Sequence, residues 1–355
     1  MIASHRAAAL LGLVLVTGWA ALCGAAGDTA SEPARGIAPL LSLILPLESP
    51  DFAAPASAVA AGCRSALQVD GNPLSVELSR TDAAPANVIA AYRAAIERGA
   101  AVIVGPMTRD SVTALAHQVK PSAPTLALNI PEGDAVLPPG FFSFGLSAEA
   151  EARLIARSAA EAGLRSAVVV QARSALARRM SQAFADEWFA LGGSIPDVQD
   201  FSREANLSAL RQRLAASKAE LIFLSGDAAD ARLVAPYLAR HIPIYAVSLV
   251  HTGRPDPLAS ADLEGIRLFE MPWLVQPDHP AVMVYPRPES LADELQRFYA
   301  LGIDACRLAP LLAAHREALE LDGVTGRIRM RAGGRIEREP VASVFRDGSA
   351  VPDRP

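Results

Sequence analysis

Leu40-Leu41-Ser42-Leu43-Ile44-Leu45, stopped by Pro46, is the stretch on which the fold turns. Its aliphatic residues do not alternate with polar ones, so it predicts a strand buried on both faces, as in a parallel sheet covered by helices. The sequence downstream fits that reading. Residues 52–69 form an alanine-rich helical stretch, and residues 74–78 alternate as a second strand. Residues 87–98 have helical period, with Val88, Ala91, Tyr92 and Ala95 on one side. Ala101-Val102-Ile103-Val104 is a further strand, turning at Gly105-Pro106. A helix over 110–119 then precedes a strand over 125–128. Strands alternating with helices in this way predict a doubly wound unit.

The alternation restarts after Phe144. Helices are expected over 148–162, 176–191, 207–216 and 228–240, and strands over 166–171, 220–224, 244–249 and 266–269. Met180, Phe184 and Trp188 recur every fourth residue, which reads as a core stripe more readily than as a partner groove. The character then changes. Residues 272–290 hold five prolines, enough to prevent long regular structure. Helices are expected over 291–300 and 303–319, followed by a hairpin over 324–344 about Ala332-Gly333-Gly334. Arg327, Arg329 and Arg331 alternate with Ile328 and Met330, placing the three charges on one face. Two α/β runs and a returning segment imply two lobes joined by several crossings.

Composition limits the function. Apolar residues make up 51% and aromatics 5% of the 355 residues, predicting cores of Ala, Leu, Val and Ile. The net charge is -5, from 33 basic and 38 acidic residues well mixed along the chain. That excludes the clustered basic footprint of a nucleic-acid binder. Met1 to Arg6 forms a short positive region, residues 7–22 carry no charge, and small residues follow in Cys23-Gly24-Ala25-Ala26-Gly27. This layout predicts a secretory signal segment over 1–26 and a linker over 27–37. A membrane anchor is the competing reading, since the apolar run has about the length of a bilayer span. Cys63 and Cys306 both fall in alanine-rich helical stretches. They read as small buried hydrophobes, although an exported setting permits a bridge.

No catalytic constellation is recognisable. Neither a G-x-G-x-x-G nor a phosphate-loop pattern is present, and no Cys or His pair has metal-site spacing. No cofactor is therefore expected. Phe223-Leu224-Ser225-Gly226-Asp227 lacks the flanking glycines of a nucleophile elbow. Candidate cleft residues lie beyond the predicted strands of the first run: Glu48 and Ser49, Thr108 and Arg109, and Asn129. Ligands of open α/β sheets bind at such carboxyl edges. Thr108 serves equally well as a helix cap, and Glu48 and Arg109 as solvated surface charges.

Several blocks resemble the C-terminal domain of the penicillin-binding-protein activator lipoproteins. They include Leu43-Ile44-Leu45-Pro46-Leu47, Val104-Gly105-Pro106-Met107, Leu126-Ala127-Leu128-Asn129 and Phe144-Gly145-Leu146-Ser147. Asp230-Ala231-Arg232-Leu233 and Asp262-Leu263-Glu264-Gly265 follow. Met271-Pro272-Trp273 and Leu301-Gly302-Ile303-Asp304-Ala305 are the most specific, and Leu321-Asp322-Gly323-Val324-Thr325-Gly326-Arg327 comes last. The resemblance covers about 38–350 and implies a two-lobed α/β architecture, the type I periplasmic-binding-protein fold, each lobe a mostly parallel sheet flanked by helices. It divides the chain into residues 38–144 plus 274–321 as one lobe and 145–273 plus 322–350 as the other. Longer members of that family carry helical repeats before this module, so the resemblance is to a compact form.

What the resemblance implies is a non-enzymatic periplasmic activator of a bifunctional penicillin-binding protein, attached to the outer membrane if Cys23 is lipidated. Ala20-Ala21-Leu22-Cys23 departs from a good lipobox, because Leu22 stands where a small residue is usual. Ordinary cleavage to a soluble periplasmic product is the alternative. The Arg327, Arg329 and Arg331 face and the proline-rich stretch 272–290 are the first candidates for a partner surface. The competing function is a solute-binding protein that takes an amino acid or small amide into the cleft for uptake. Ser49, Thr108 and Asn129 would supply donors to its carboxylate, whereas Glu48 would repel one.

Overall fold

The aliphatic run at residue 40 is an inner strand of an all-parallel sheet. In the computed structural model, residues 38–353 are described, apart from 72–73, 134–135, 204–205, 254, 259 and 317. The expected signal segment, linker and Cys23 lie outside the described residues.

The first run comprises β1 (Leu40–Leu45), α1 (Ala53–Val69), β2 (Ser75–Arg80), α2 (Pro85–Glu97) and β3 (Ala100–Val104). It continues through α3 (Arg109–Gln118), β4 (Thr125–Ala127) and β5 (Phe141–Ser143). Its strands pair in the order β2-β1-β3-β4-β5, all parallel. Leu43 stands beside Leu78 on one side and Val104 on the other. Gly105, at the end of β3, has φ +112°, and a Cβ there would lie 2.1 Å from the Ile44 carbonyl oxygen. Only glycine fits so close a passage of two backbones.

The second run is α4 (Ala148–Glu161), β6 (Ala167–Ala172), α5 (Ala175–Ala190), β7 (Asp197–Phe201) and α6 (Leu207–Ala216). After these come β8 (Leu221–Ser225), α7 (Ala228–Val234), β9 (Ile244–Ala246) and β10 (Arg267–Glu270). The expected helix over 228–240 is cut to one 7-residue helix, because Pro236 lacks the N–H that would continue it. Met180, Phe184 and Trp188 are buried, and Phe184 stacks on Phe223 at 4.5 Å. The stripe is core.

The returning segment holds two short helices, α8 (Pro272–Val275) and α9 (Pro280–Met283), then α10 (Gln296–Ala313). The two helices expected over 291–300 and 303–319 are one, passing through Gly302 without a break. A Cβ on Gly302 would meet the Val59 carbonyl oxygen at 2.1 Å, and one on Gly62 the Tyr299 carbonyl oxygen at 1.9 Å. The glycines therefore bring the backbones of α1 and α10 together rather than ending a helix. Cys63 and Cys306 form a disulfide across this seam, with Cα atoms 5.1 Å apart. That corrects their reading as two unlinked hydrophobes; close helix packing provides the short Cα distance a bridge requires.

The chain ends in β11 (Glu320–Gly323), β12 (Gly326–Met330), β13 (Ile336–Glu339), β14 (Val341–Arg346) and β15 (Ser349–Pro352). β14 and β15 extend the second sheet to seven strands in the order β15-β14-β10-β9-β8-β6-β7. β11, β12 and β13 form a separate antiparallel sheet. Leu319, Val324, Ile328 and Ile336 pack into the core built by β1, α1 and α10. The expectation kept residues 322–350 together in the second lobe. The structure divides that stretch: its apolar face at 324–336 is buried against the first lobe, and only 341–352 join the second sheet.

The most specific family blocks meet at this junction. Asp304, fully buried in α10, accepts hydrogen bonds from the Val324 N–H at 3.1 Å, the Thr325 N–H at 2.8 Å and the Thr325 hydroxyl at 2.7 Å. The Trp273 N–H donates to the Val324 carbonyl at 2.9 Å, and the Arg287 guanidinium lies 4.3 Å over the Trp273 ring. Among the described residues, no helix is long and apolar enough to cross a membrane.

Candidate functional site

Loops after the carboxyl ends of strands in both sheets enclose one cleft of about 1000 Å³. Its apolar wall includes Phe52, Met107, Leu128, Leu146, Leu176 and Leu249. Its polar wall is dominated by arginines and carboxylates, most of them spent on one another. Ser147 caps α4 by accepting from the Ala150 N–H at 3.1 Å, which sets Glu149 and Glu151 in the first turn. Both acids face the other lobe. Glu149 Oε1 receives Arg109 from α3 at 3.1 Å and Arg179 from α5 at 2.9 Å. Burial alone would raise the Glu149 pKa, but Arg179, its own backbone amide, Arg109 and Ser147 outweigh it and hold the carboxyl below its ordinary value. Glu151 receives Arg338 from β13 at 2.6 Å and the Ser248 N–H at 2.9 Å.

A third contact lies deeper. Glu270, at the end of β10, is buried and paired with Arg297 from α10. His251 Nδ1 lies 2.7 Å from Glu270 Oε2, and the Met271 N–H donates to Glu270 Oε1 at 2.9 Å. Burial pushes the Glu270 pKa up, yet Arg297 and His251 overcome that cost and depress it to about 2. Arg297 also donates to the carbonyls of Ser248 at 3.1 Å and His251 at 3.0 Å. Three arginines, Arg109, Arg338 and Arg297, thus cross from the first lobe and its small sheet to carboxylates of the second.

The sequence-predicted residues fall unevenly around the cleft. Thr108, Arg109 and Asn129 line it. Thr108 occupies the N-cap of α3 without a side-chain cap bond, and its buried hydroxyl has no protein partner among the described residues. Asn129 is used internally, donating to the Met107 carbonyl at 3.0 Å and accepting from the Ile130 N–H at 2.9 Å. Glu48 and Ser49 are not in the lining: Glu48 is exposed, 3.9 Å from Arg80, and Ser49 is buried beside β1. Sequence reasoning missed Glu149, Glu151 and Arg297. The first two had a signal, since Ser147 followed by acids marks a helix N-terminus at a strand edge. Arg297 had none, because its partners come from β10 and the loop after β9.

Arg327, Arg329 and Arg331 lie on the small sheet, engaged with carboxylates of the same face. Arg329 is 3.1 Å from Glu320, Arg331 is 3.0 Å from Glu337, and Arg327 is 3.8 Å from Glu320. Ser225 and His251 are each engaged elsewhere, apart from one another. The Ser225 hydroxyl donates to the Ala177 carbonyl at 2.7 Å, and His251 is held by Glu270. Among the described residues, no group of His, Cys, Asp and Glu is arranged to hold a metal ion.

One parallel sheet, one mixed sheet whose β14 and β15 run antiparallel, several crossings and a cleft between carboxyl edges define a fold of the type I periplasmic-binding-protein class. The chain belongs to the family described as "LppC putative lipoprotein", whose model matches residues 38–348. It is 28% identical over 290 residues to penicillin-binding protein activator LpoA of Glaesserella parasuis, covering 78% of this chain and 49% of that protein. LpoA of Klebsiella pneumoniae is 28% identical over 322 residues, covering 79% of this chain and 45% of that one. The chain spans about half the length of the curated relatives it matches. Among solved structures, a "putative branched-chain amino acid ABC transporter" from Chromobacterium violaceum is 38% identical with TM-score 0.73, covering 86% of this chain and 100% of that one. The LpoA C-domain from Haemophilus influenzae, described as a regulator of PBP1A, is 22% identical with TM-score 0.72, covering 89% of this chain and 100% of that one. At that identity the likeness concerns the fold alone.

Proposed function

We propose that this protein is a non-enzymatic, exported activator of a bifunctional penicillin-binding protein, working through protein–protein contact at the cell wall. The observation that carries the reading is the sequence similarity to penicillin-binding protein activators across 78% of this chain. Stimulation then comes from binding the synthase's active conformation better than its idle one, which needs differential contacts and no chemistry. We place the contact face on the small sheet around Arg327, Arg329 and Arg331 and on the adjoining stretch 272–290. Export by the segment 1–26 puts the two-lobed module in the periplasm, and the family's lipoprotein description supports attachment through Cys23.

The test mixes purified mature protein with the organism's own bifunctional synthases, reading association together with glycan polymerisation and crosslinking. Association and faster synthesis are expected, and the triple reversal R327E/R329E/R331E should weaken association at least tenfold while leaving the thermal transition in place. Absence of both association and rate change with every synthase would overturn the reading.

Solute capture for an uptake system is a second reading, favoured by the 38% identical Chromobacterium protein and what it is described as. Micromolar binding of a free amino acid, with no synthase effect, would select it.

A further inference from the structure

We propose that the cleft is a receptor for a short zwitterionic peptide with apolar side chains, held by its terminal carboxylate on Arg232 and by its ammonium on the opposite wall. Five arginines line the cleft. Arg109 and Arg179 share Glu149, Arg338 pairs with Glu151, and Arg297 pairs with Glu270. Arg232, on α7 of the second lobe, is the exception: it has no ion-pair or hydrogen-bond partner among the described residues, and its Nε is buried without one. A partly buried guanidinium without a carboxylate is costly to maintain in the empty protein, and an incoming anion removes that cost. Its planar fork of donors suits a carboxylate in two-point contact.

The first lobe presents the opposite charge. Asp51 follows β1, Glu132 follows β4 and Glu294 precedes α10; all three line the cleft and have no ion-pair partner among the described residues. Asp256 and Asp293, also in the lining, have partners of their own. The uncompensated charges are therefore one cation on the second lobe and carboxylates on the first. Between them stands the apolar wall of Phe52, Met107, Leu128, Leu146, Leu176 and Leu249.

Charge separation and size select the ligand. In a free amino acid the ammonium and carboxylate flank one carbon, so it would occupy only a small part of a cleft of about 1000 Å³. Each added residue separates the termini by about 3.3–3.6 Å when extended. The volume of about 1000 Å³ is at the upper end of the roughly 300–1,000 Å³ typical of pockets that enclose drug-sized molecules. A peptide of about three residues fits within such a space and can lay its side chains on the apolar wall. Because its two ends contact different lobes, it adds to the arginine contacts that already join them. The proposal stands apart from the synthase reading, since occupancy is measured with no synthase present.

Calorimetric titration of the mature full chain decides it, using leucine, trileucine, N-acetyl-trileucine and trileucine amide. Trileucine is expected to bind, leucine to bind at least tenfold more weakly, and both blocked peptides to lose about tenfold or more, as charge-assisted contacts are removed. R232Q should lose about tenfold for trileucine and its N-acetyl form but little for the amide, which already lacks the carboxylate. Since Arg232 has no partner to orphan, the empty R232Q protein should keep its melting temperature, and R232K should restore part of the affinity. Leucine binding as well as trileucine, no binding by any probe, or equal binding by R232Q would each overturn the proposal.

Discussion

Two buried carboxylates show how a single residue can hold distant segments together. Asp304 receives three donors from the turn between β11 and β12, together with Arg307 at 3.2 Å. Burial nevertheless pushes its pKa up, against the opposing pull of Arg307 and Thr325. Glu270 is the opposite case, its pKa depressed from 4.5 to about 2. Between those values the unfolded chain binds a proton that the folded chain does not, so stability rises with pH across the window. The contribution of Glu270 is complete above about pH 4.5 and is lost as pH falls toward 2. Glu149, also lowered, acts in the same direction. Denaturant titrations from pH 5 to pH 2.5 should show a steep acid limb that is shallower in E270Q. An unchanged slope would mean that Glu270 is not ionised in the folded protein at low pH. None of this was legible at position 270, where a single Glu precedes Met271-Pro272-Trp273 and its partners are 19 and 27 positions away.

At the scale of elements, periodicity was a good guide wherever a helix or strand buries its own face. The aliphatic run of β1, the helix of Met180, Phe184 and Trp188, and the α6 helix were all readable for that reason. It failed where the governing contact is remote. β7 has only Phe201 buried, and β15 has four residues with one buried, so their patterns are too sparse to stand out as strands. Gly302 resembles a helix break in one dimension, whereas its neighbour in space is the backbone of α1. The same seam gives a prediction. Cys63 and Cys306 close a loop of 243 positions, and removing such a bridge from the folded chain should cost about 2–5 kcal/mol. Reduced and oxidised protein compared in urea should differ by that amount in midpoint stability, and C63A/C306A should match the reduced form. Equal stabilities would show that the α1–α10 packing suffices without the covalent link.

For the whole molecule, the late return of the chain matters most. The first lobe's core is completed by Trp273, Tyr299, Ile303, Leu308 and Leu312, all supplied after the chain has passed through β6 to β10 of the second lobe. A fragment of residues 38–144 would therefore expose the α1 surface that α10 covers, and should show no cooperative thermal transition by circular dichroism. A sharp transition in that fragment would mean that the lobes fold independently. The sequence by itself determined the α/β class and the two lobes, because burial periodicity is a local property of the chain. Tertiary structure alone decided the disulfide, the division of residues 322–350 between the lobes and the arginine contacts across the cleft. It also decided which arginine was left without a partner. Those features depend on which side chains meet across 27 to 243 positions of chain, and pairing of that kind leaves no periodic trace in the sequence.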